Sequence, residues 1–160
     1  MRQTSFSGMS CSMARSLEVI GDWWTPLIVR DLYLGLSRFD ELANDLEISR
    51  NLLSTRLNAL VEDGIVERRR YSEHPERFEY VLTEKGRDLQ PVLLALLAWG
   101  DRYTAENGAP LELVHEDHAF HAVPVCSECG EPLDTHNVHS RPGPGANEEQ
   151  KRRQPAWLAR

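Results

Sequence analysis

Long apolar runs are missing from this sequence. None of its 160 residues belong to a stretch of the roughly 18 consecutive apolar residues that a membrane-spanning helix needs. The opening residues, MRQTSFSGMSC, also lack the apolar segment of a secretory signal, so we expect a cytoplasmic protein. Cysteine is scarce too. Cys11, Cys126 and Cys129 form no even disulfide framework, which suits a reducing compartment.

Signatures of catalysis are absent as well. The sequence has no glycine-rich phosphate-binding loop, and no set of nucleophile, base and oxyanion donor can be assembled from its motifs. One enzyme alternative is a thiol oxidoreductase built on Cys126 and Cys129. The βαβ pattern expected around such a motif is missing, however. We therefore predict that the protein is not an enzyme.

An excess of positive charge, usual in nucleic-acid-binding proteins, is also missing, since the net charge is −7. The acidic residues are concentrated outside the centre of the chain. Residues 49–82 contain six basic and six acidic residues, and the six basic ones form a local cluster. An acidic protein with one such face can bind DNA, although its nonspecific binding should be weak. The cluster consists of Arg50, Arg56, Arg68, Arg69, Arg70 and Arg77.

Apolar residues with helical spacing predict four helices in the first half of the chain, at 12–21, 24–35, 38–46 and 49–63. Ser37 followed by Asp40 predicts a capping box for the third helix, and Ser49 caps the fourth. The fourth helix directs one apolar stripe inward and leaves its polar residues outside. That stripe comprises Leu52, Leu53, Leu57, Leu60 and Val61.

A β-hairpin and a long helix are predicted next. Residues 65–71 and 77–82 alternate as strands, and residues 72–76 form a loop with Pro75 at its tip. Thr83 then opens one helix that runs to about Gly108 and is apolar nearly all round from Pro91 to Trp99. A small domain can cover only one stripe of such a helix, which favours a homodimer interface. The alternative is a helix central to a single domain.

This order of elements, mainly α with a small β-hairpin wing, predicts a winged helix-turn-helix. Residues 38–46 are the positioning helix and 49–63 the recognition helix. Arg50 can form hydrogen bonds with guanine edges and Asn51 with adenine, and the other polar residues of this helix can contact phosphates or bases. The alternatives are a solvated helix face and a protein-interaction module. The predicted contacts with double-stranded DNA are Arg38, Ser49, Arg50, Asn51, Ser54, Thr55, Arg56, Asn58, Arg68, Arg70, His74 and Arg77.

These elements carry motifs that resemble the HxlR-type, MarR-like winged helix-turn-helix regulators of bacteria. The motifs include C-x-x-A-R-S-L-E-V-I-G at 11–21, R-F-D-E-L at 38–42, L-T-E-K-G at 82–86 and P-V-L-x-A-L-x-x-W-G at 91–100. The resemblance implies a homodimer joined through its first and last helices. Such a dimer binds partly palindromic operators, and we predict a repressor. Trp23 stands where the family usually has a basic residue, and its bulk suggests that it lines a pocket.

Cys11 is a candidate sensor of oxidants or electrophiles. It lies at a helix N-terminus with Arg15 one turn on, and both features favour the reactive thiolate. The resemblance adds that some relatives sense oxidants with a cysteine at this position. The alternative is a small packing residue. A small-molecule effector is also compatible with this family.

The sequence predicts three segments in chain order. A DNA-binding and dimerisation domain at 1–107 is followed by a small appendage at 108–140 and by a flexible tail at 141–160. Cys126-Ser-Glu-Cys129-Gly130 has the form of half a zinc knuckle. Related ribbons carry H-x-x-C-G upstream, where this chain has His115 and His118. The predicted Zn²⁺ ligands are His115, His118, Cys126 and Cys129, with His121, His136 or His139 as substitutes. A metal-free knuckle and a dithiol redox switch are the alternatives.

Overall fold

The computed structural model describes residues 5–153. It is mainly α with two short antiparallel hairpins, so the predicted mainly α fold class with a hairpin wing is confirmed, whereas dimerisation stays a prediction. Ser16–Pro110 forms one compact unit, and the described residues on either side belong to a second. No helix of the described part is long and apolar enough to cross a membrane. The elements are α1 (Ser12–Ile20), α2 (Trp24–Tyr33), α3 (Phe39–Asp45), α4 (Arg50–Glu62), β1 (Val66–Glu73), β2 (Glu76–Leu82), α5 (Glu84–Arg87), α6 (Gln90–Tyr103), β3 (Val114–His115), β4 (His118–Ala119) and α7 (Glu148–Arg153).

The core of the larger unit lies between α2, α3, α4 and the base of the hairpin. Leu53, Leu57 and Leu60 recur at helical spacing along α4 and are fully or almost fully buried. Val61, predicted to point inward, is exposed because it lies beside this stripe and not on it. The stripe of α4 packs against buried residues of the other elements, namely Ile28, Val29, Leu42, Ala43, Leu46, Ile48, Ile65, Val66 and Leu82.

Helix caps fix where α3 and α4 begin. Ser49 Oγ accepts a hydrogen bond from the backbone N–H of Leu52 at 3.4 Å, as predicted for the cap of α4. The predicted capping box of Ser37 and Asp40 is wrong. The Glu41 carboxylate accepts the backbone N–H groups of Ser37 at 3.2 Å and Arg38 at 2.9 Å. Glu41 is the third residue of α3 and reaches back over the helix start, so the Asp40 carboxylate is available for another partner.

The hairpin is longer than predicted. Its strands pair in antiparallel fashion from Val66 opposite Leu82 to Glu73 opposite Glu76. An irregularity between Arg70 and Ser72 absorbs one residue, so both strands continue beyond the predicted loop boundaries. The predicted five-residue loop at 72–76 is therefore wrong, because only residues 74 and 75 connect the strands.

The base of the hairpin is fastened to its surroundings. Thr83 Oγ1 donates to the carbonyl of Gly64 at 2.6 Å and accepts from the backbone N–H of Gly86 at 3.1 Å. Lys85 Nζ donates to the carbonyl of Asp63 at 2.6 Å. A Cβ atom on Gly86 would lie 2.2 Å from the carbonyl oxygen of Ile65, so only glycine fits there.

The predicted single helix from 83 to 108 is two helices in the structure. Thr83 caps α5 as predicted, but α5 ends at Arg87, and α6 begins at Gln90 and ends at Tyr103. Pro91 explains the break, since a proline has no N–H to donate and is tolerated only in the first turn of a helix.

The second unit contains the β3–β4 hairpin and α7. Asn147 and Gln150 cap α7 reciprocally, each side chain accepting from the other's backbone N–H at 2.9 Å. The predicted flexible tail therefore includes a helical turn at 148–153, and its residues 154–160 lie outside the described residues. The domain boundaries predicted at 107 and 140 stay predictions.

Candidate nucleic-acid interface

The exposed face of α4 is polar. Asn51, Ser54, Thr55 and Asn58 are exposed opposite the buried leucine stripe. The Thr55 hydroxyl donates to the carbonyl of Asn51 at 2.9 Å, which leaves its lone pairs as acceptors. Within the described residues, the side chains of Asn51, Ser54 and Asn58 make no hydrogen bond. Their donors and acceptors are therefore available to an external polar surface.

Arg50 begins α4 and is held by two residues of α3. Its guanidinium group lies 2.6 Å from the carboxylate of Asp40 and 4.9 Å from the centroid of the Phe39 ring. Both charged side chains are exposed, so the ion pair is weak and can exchange for another partner at low cost. Phe39 and Asp40 are site residues that the sequence prediction missed.

Arg56, a predicted DNA contact, lies elsewhere. Its Nε is 3.4 Å from the Asp22 carboxylate, and its side chain is 35% exposed. Asp22 also accepts the backbone N–H groups of Trp24 at 2.8 Å and Thr25 at 3.1 Å at the start of α2. Arg56 is thus held toward the loop before α2, where it can position α4 against α2, and its assignment as a DNA contact stays a prediction.

The wing carries its cations in different environments. The guanidinium of Arg68 lies 3.5 Å from the centroid of the Phe78 ring, and that of Arg38 lies 5.1 Å from the Tyr71 ring. Such stacking limits rotamer freedom while the charge stays available. Arg68 is exposed, so it still presents a positive charge to solvent.

Acidic residues balance the other wing arginines. Arg70 lies between Glu73 at 3.4 Å and Glu76 at 3.6 Å. Arg69 pairs with Glu67. His74 and Arg77 flank the exposed tip, and in the part of the chain that the structure describes neither makes an ion pair. Arg77 is thus the least compensated cation of the wing.

An apolar stripe runs along α6. Val92, Leu96, Trp99 and Tyr103 are 50–61% exposed at helical spacing, and no residue of α6 is buried. Trp23 is 88% exposed, and its role in lining a pocket stays a prediction. The stripe is much more apolar than an ordinary solvated face, so it has the character of a contact surface.

Asp31 is a buried carboxylate that the sequence prediction treated only as part of a helix. Arg30 Nε donates to its Oδ1 at 2.7 Å, whereas its Oδ2 has no hydrogen-bond partner in the described residues. Burial raises the pKa of Asp31, and the attraction of Arg30 opposes this shift. The Arg30 guanidinium also reaches Asp45 at 3.5 Å, so it connects α2 with the end of α3.

The thiols lie in two places. Cys11 is exposed immediately before α1, and its carbonyl accepts the backbone N–H of Arg15 at 3.1 Å. The alternative of a packed, buried Cys11 therefore does not hold. Cys126 is partly buried and Cys129 exposed. The backbone N–H groups of Cys129 and Glu128 and the Cys129 thiol contact the Cys126 sulfur and lower its pKa.

The predicted zinc ligands do not come together. His115 and His118 are cross-strand partners whose ring centroids lie 5.5 Å apart. Among residues 5–153, no three His, Cys, Asp or Glu side chains converge in a way that could hold a metal ion. The imidazoles of His115 and His118 meet edge to face in β3–β4, whereas Cys126 and Cys129 lie in a different turn. The zinc assignment of these four residues stays a prediction.

Residues 19–108 match the model of a family described as HxlR-like helix-turn-helix. The chain belongs to this family. It is 46% identical over 137 residues to the HTH-type transcriptional regulator Rv3095 of Mycobacterium tuberculosis, covering 84% of this chain and 87% of the relative. The family and this relative show that the chain is a DNA-binding transcriptional regulator.

Solved structures agree with the fold. PA1607, a proposed transcription factor, superposes with a TM-score of 0.76 at 38% identity, covering 86% of this chain and 98% of PA1607. The redox regulator HypR in its oxidised form superposes with a TM-score of 0.54 at 35% identity, covering 57% of this chain and 96% of HypR.

Proposed function

We propose that this regulator is a repressor that binds a partly palindromic operator as a homodimer. The observation that carries the proposal is the exposed face of α4, on which Asn51, Ser54 and Asn58 have no partner within the described residues. Arg50 stands at the start of the same helix. Side chains of this kind match base edges in the major groove, where amide and guanidinium groups can form paired hydrogen bonds.

The remaining contacts divide by chemistry. Arg50, Asn51, Ser54 and Asn58 read bases, whereas the other residues bind the phosphate backbone and set the register. The wing contributes a cation stacked on Phe78 and an uncompensated cation at its tip. Arg70 contributes less, since two glutamates already share its charge. The proposed backbone contacts are Arg38, Ser49, Thr55, Arg68, Arg70, His74 and Arg77.

The dimer is supported by the apolar stripe of α6. Leu17 of α1 is a further exposed apolar side chain in the same unit. A second copy of the chain would cover these residues symmetrically, as in most soluble homo-oligomers. The two α4 helices would then meet half-sites about 34 Å apart, one turn of B-DNA.

A redox response at Cys11 is the regulatory part of the proposal. Its support is the exposed thiol at the start of α1 and the likeness to HypR, which is a redox regulator. Oxidation of Cys11 would change the helix that we propose to lie in the dimer interface. Treatment with hydrogen peroxide should therefore lower operator affinity in the wild type and not in Cys11→Ser. Equal affinity in treated and untreated wild type would contradict this part.

The DNA-binding test uses fluorescence anisotropy with the DNA upstream of the gene and a scrambled duplex of equal length. We expect Arg50→Ala to lose about 1–3 kcal/mol of binding free energy on the operator and little on the scrambled duplex. Arg141→Ala is the control, since it removes an exposed cation that is not among the proposed contacts. Equal losses for both variants, or on both duplexes, would show that the reading face is assigned wrongly.

A further inference from the structure

The turn that holds Cys126 and Cys129 is a short hairpin fixed by backbone hydrogen bonds. Its two sides are joined by a bridge between Val125 and Pro132, by the Leu133 N–H donating to the Pro124 carbonyl at 2.9 Å, and by the Cys126 N–H donating to the Glu131 carbonyl at 2.9 Å. Backbone hydrogen bonds therefore define this short hairpin.

The end of the turn is equally well defined. The Gly130 N–H donates to the carbonyl of Cys126 at 2.8 Å, and Gly130 has a φ of 75°, which glycine adopts without strain. This geometry places both cysteines on one tight turn. The backbone N–H groups of Glu128 and Cys129 are directed at the Cys126 sulfur, and the Cys129 thiol is in hydrogen-bonding contact with it.

The two sulfurs have no competing ligand. A structural zinc site needs four ligands around the ion, and the part of the chain that the structure describes offers these thiols no third His, Cys, Asp or Glu. What remains is a pair of adjacent thiols, one partly buried among N–H donors and one exposed. Adjacent thiols of this kind can exchange with a disulfide, in which the thiolate is the attacking species.

We propose that Cys126 and Cys129 form a dithiol site that small-molecule disulfides oxidise to an intramolecular disulfide. The Cys126 thiolate attacks one sulfur of the small disulfide, which forms a mixed disulfide and releases one thiolate. Cys129 loses its proton to solvent and attacks the Cys126 sulfur, which releases the second thiolate. Two electrons pass from the protein dithiol to the small disulfide, whose two halves leave as thiols.

The roles of the two cysteines follow from their surroundings. N–H donors stabilise negative charge on the Cys126 sulfur, so Cys126 is the attacking thiolate. Cys129 is exposed and its thiol is in hydrogen-bonding contact with the Cys126 thiol, so it is the resolving thiol. This site is distinct from Cys11 and does not depend on how the chain binds DNA.

The test uses the full chain carrying Cys11→Ser, equilibrated with mixtures of reduced and oxidised glutathione and then alkylated for intact mass analysis. We expect both remaining thiols to be lost together as the mixture becomes more oxidising, with a product two hydrogens lighter than the dithiol. In Cys129→Ser on the same background, a glutathione adduct on Cys126 should accumulate, whereas Cys126→Ser should form an adduct several times more slowly.

Two outcomes would overturn the proposal. One is that both thiols of the folded protein remain alkylatable in oxidised glutathione while they oxidise after denaturation in urea. The other is one metal ion per chain in protein purified without a histidine tag, with the thiols protected until a chelator is added. Both results are measured on chains that keep Cys126 and Cys129, so neither depends on the folding of a variant at these two positions.

Discussion

The guanidinium group of Arg50 lies 2.6 Å from the carboxylate of Asp40, across the junction between α3 and α4. The preceding helix thus gives Arg50, the first residue of the proposed recognition helix, a preferred direction in the absence of DNA. The Phe39 ring below the same guanidinium supports this orientation. Asp40 is therefore an acidic residue within the proposed DNA-binding face, where its charge also repels phosphates.

Asp40→Asn should increase affinity for any duplex and reduce discrimination between duplexes. The substitution removes a negative charge from the interface and frees Arg50 to contact phosphates. We expect scrambled DNA to bind severalfold more tightly in anisotropy titrations, and the ratio of operator to scrambled affinity to fall. Asp45→Asn, which removes a similar exposed charge at the end of α3, is the control. An unchanged ratio would mean that Asp40 does not orient Arg50.

Arg56→Gln should lower operator affinity without changing its salt dependence. Each phosphate contact contributes about 0.9 to the slope of log K against log salt concentration, and Arg56 faces Asp22 instead of the exposed face. Arg77→Gln should reduce the slope by about that amount. A reduced slope for Arg56→Gln would restore Arg56 to the phosphate contacts.

Asp22→Ala should cost about 1 kcal/mol of unfolding free energy, since it removes the carboxylate that accepts the first backbone N–H groups of α2. Urea titration of the variant and the wild type measures this difference.

Leu96→Glu should convert the proposed dimer to a monomer. A carboxylate in the middle of the α6 stripe would be buried without a partner in the interface, which is strongly unfavourable. Analytical ultracentrifugation measures the mass directly, and operator affinity should fall at least tenfold because two half-sites are no longer bound together. Leu34→Glu is the control, since Leu34 is 61% exposed outside the stripe. If the Leu96→Glu and Leu34→Glu variants sediment with the same molecular mass, the result would argue against an α6 interface.

Asp31→Asn should change how stability depends on pH. The raised pKa means that the folded state holds this proton more tightly than the unfolded state, so the contribution of Asp31 to stability is full below pH 4, roughly its unfolded pKa. That contribution is lost as the pH rises through the folded pKa. The unfolding free energy of the variant relative to wild type should therefore increase with pH and then level off. Urea titrations from pH 4 to 7 measure this difference, and a constant difference would refute the assignment.

Much of this fold could be predicted from local patterns. The leucines of α4, the cap at Ser49 and the alternation of the hairpin are encoded within a few residues, and all three agree with the structure. The polar face of α4 could be predicted for the same reason, because helical periodicity decides which side chains share a surface.

The rest of the structure depends on residues that are distant in the sequence. Arg56 lies at the border of the polar face, and helical periodicity does not indicate its pairing with Asp22, far away in the sequence. The register irregularity after Arg70 extends the strands in a way that alternation alone does not indicate. Ligand spacing along the chain likewise does not determine whether two separate turns, such as those of His115 and Cys126, converge.

The fastened base of the wing has a mechanical consequence. Thr83, Lys85 and Gly86 fix the root of the hairpin to the residues just after α4, while the tip has no such anchor. The eight residues of β1, at roughly 3.3 Å each, make a lever arm of about 26 Å, so a tilt of about 5° at the root displaces the tip by about 2 Å. Because α5 begins at this root, the hairpin would amplify small rotations of the helices that follow it into displacements large enough to make or break a phosphate contact.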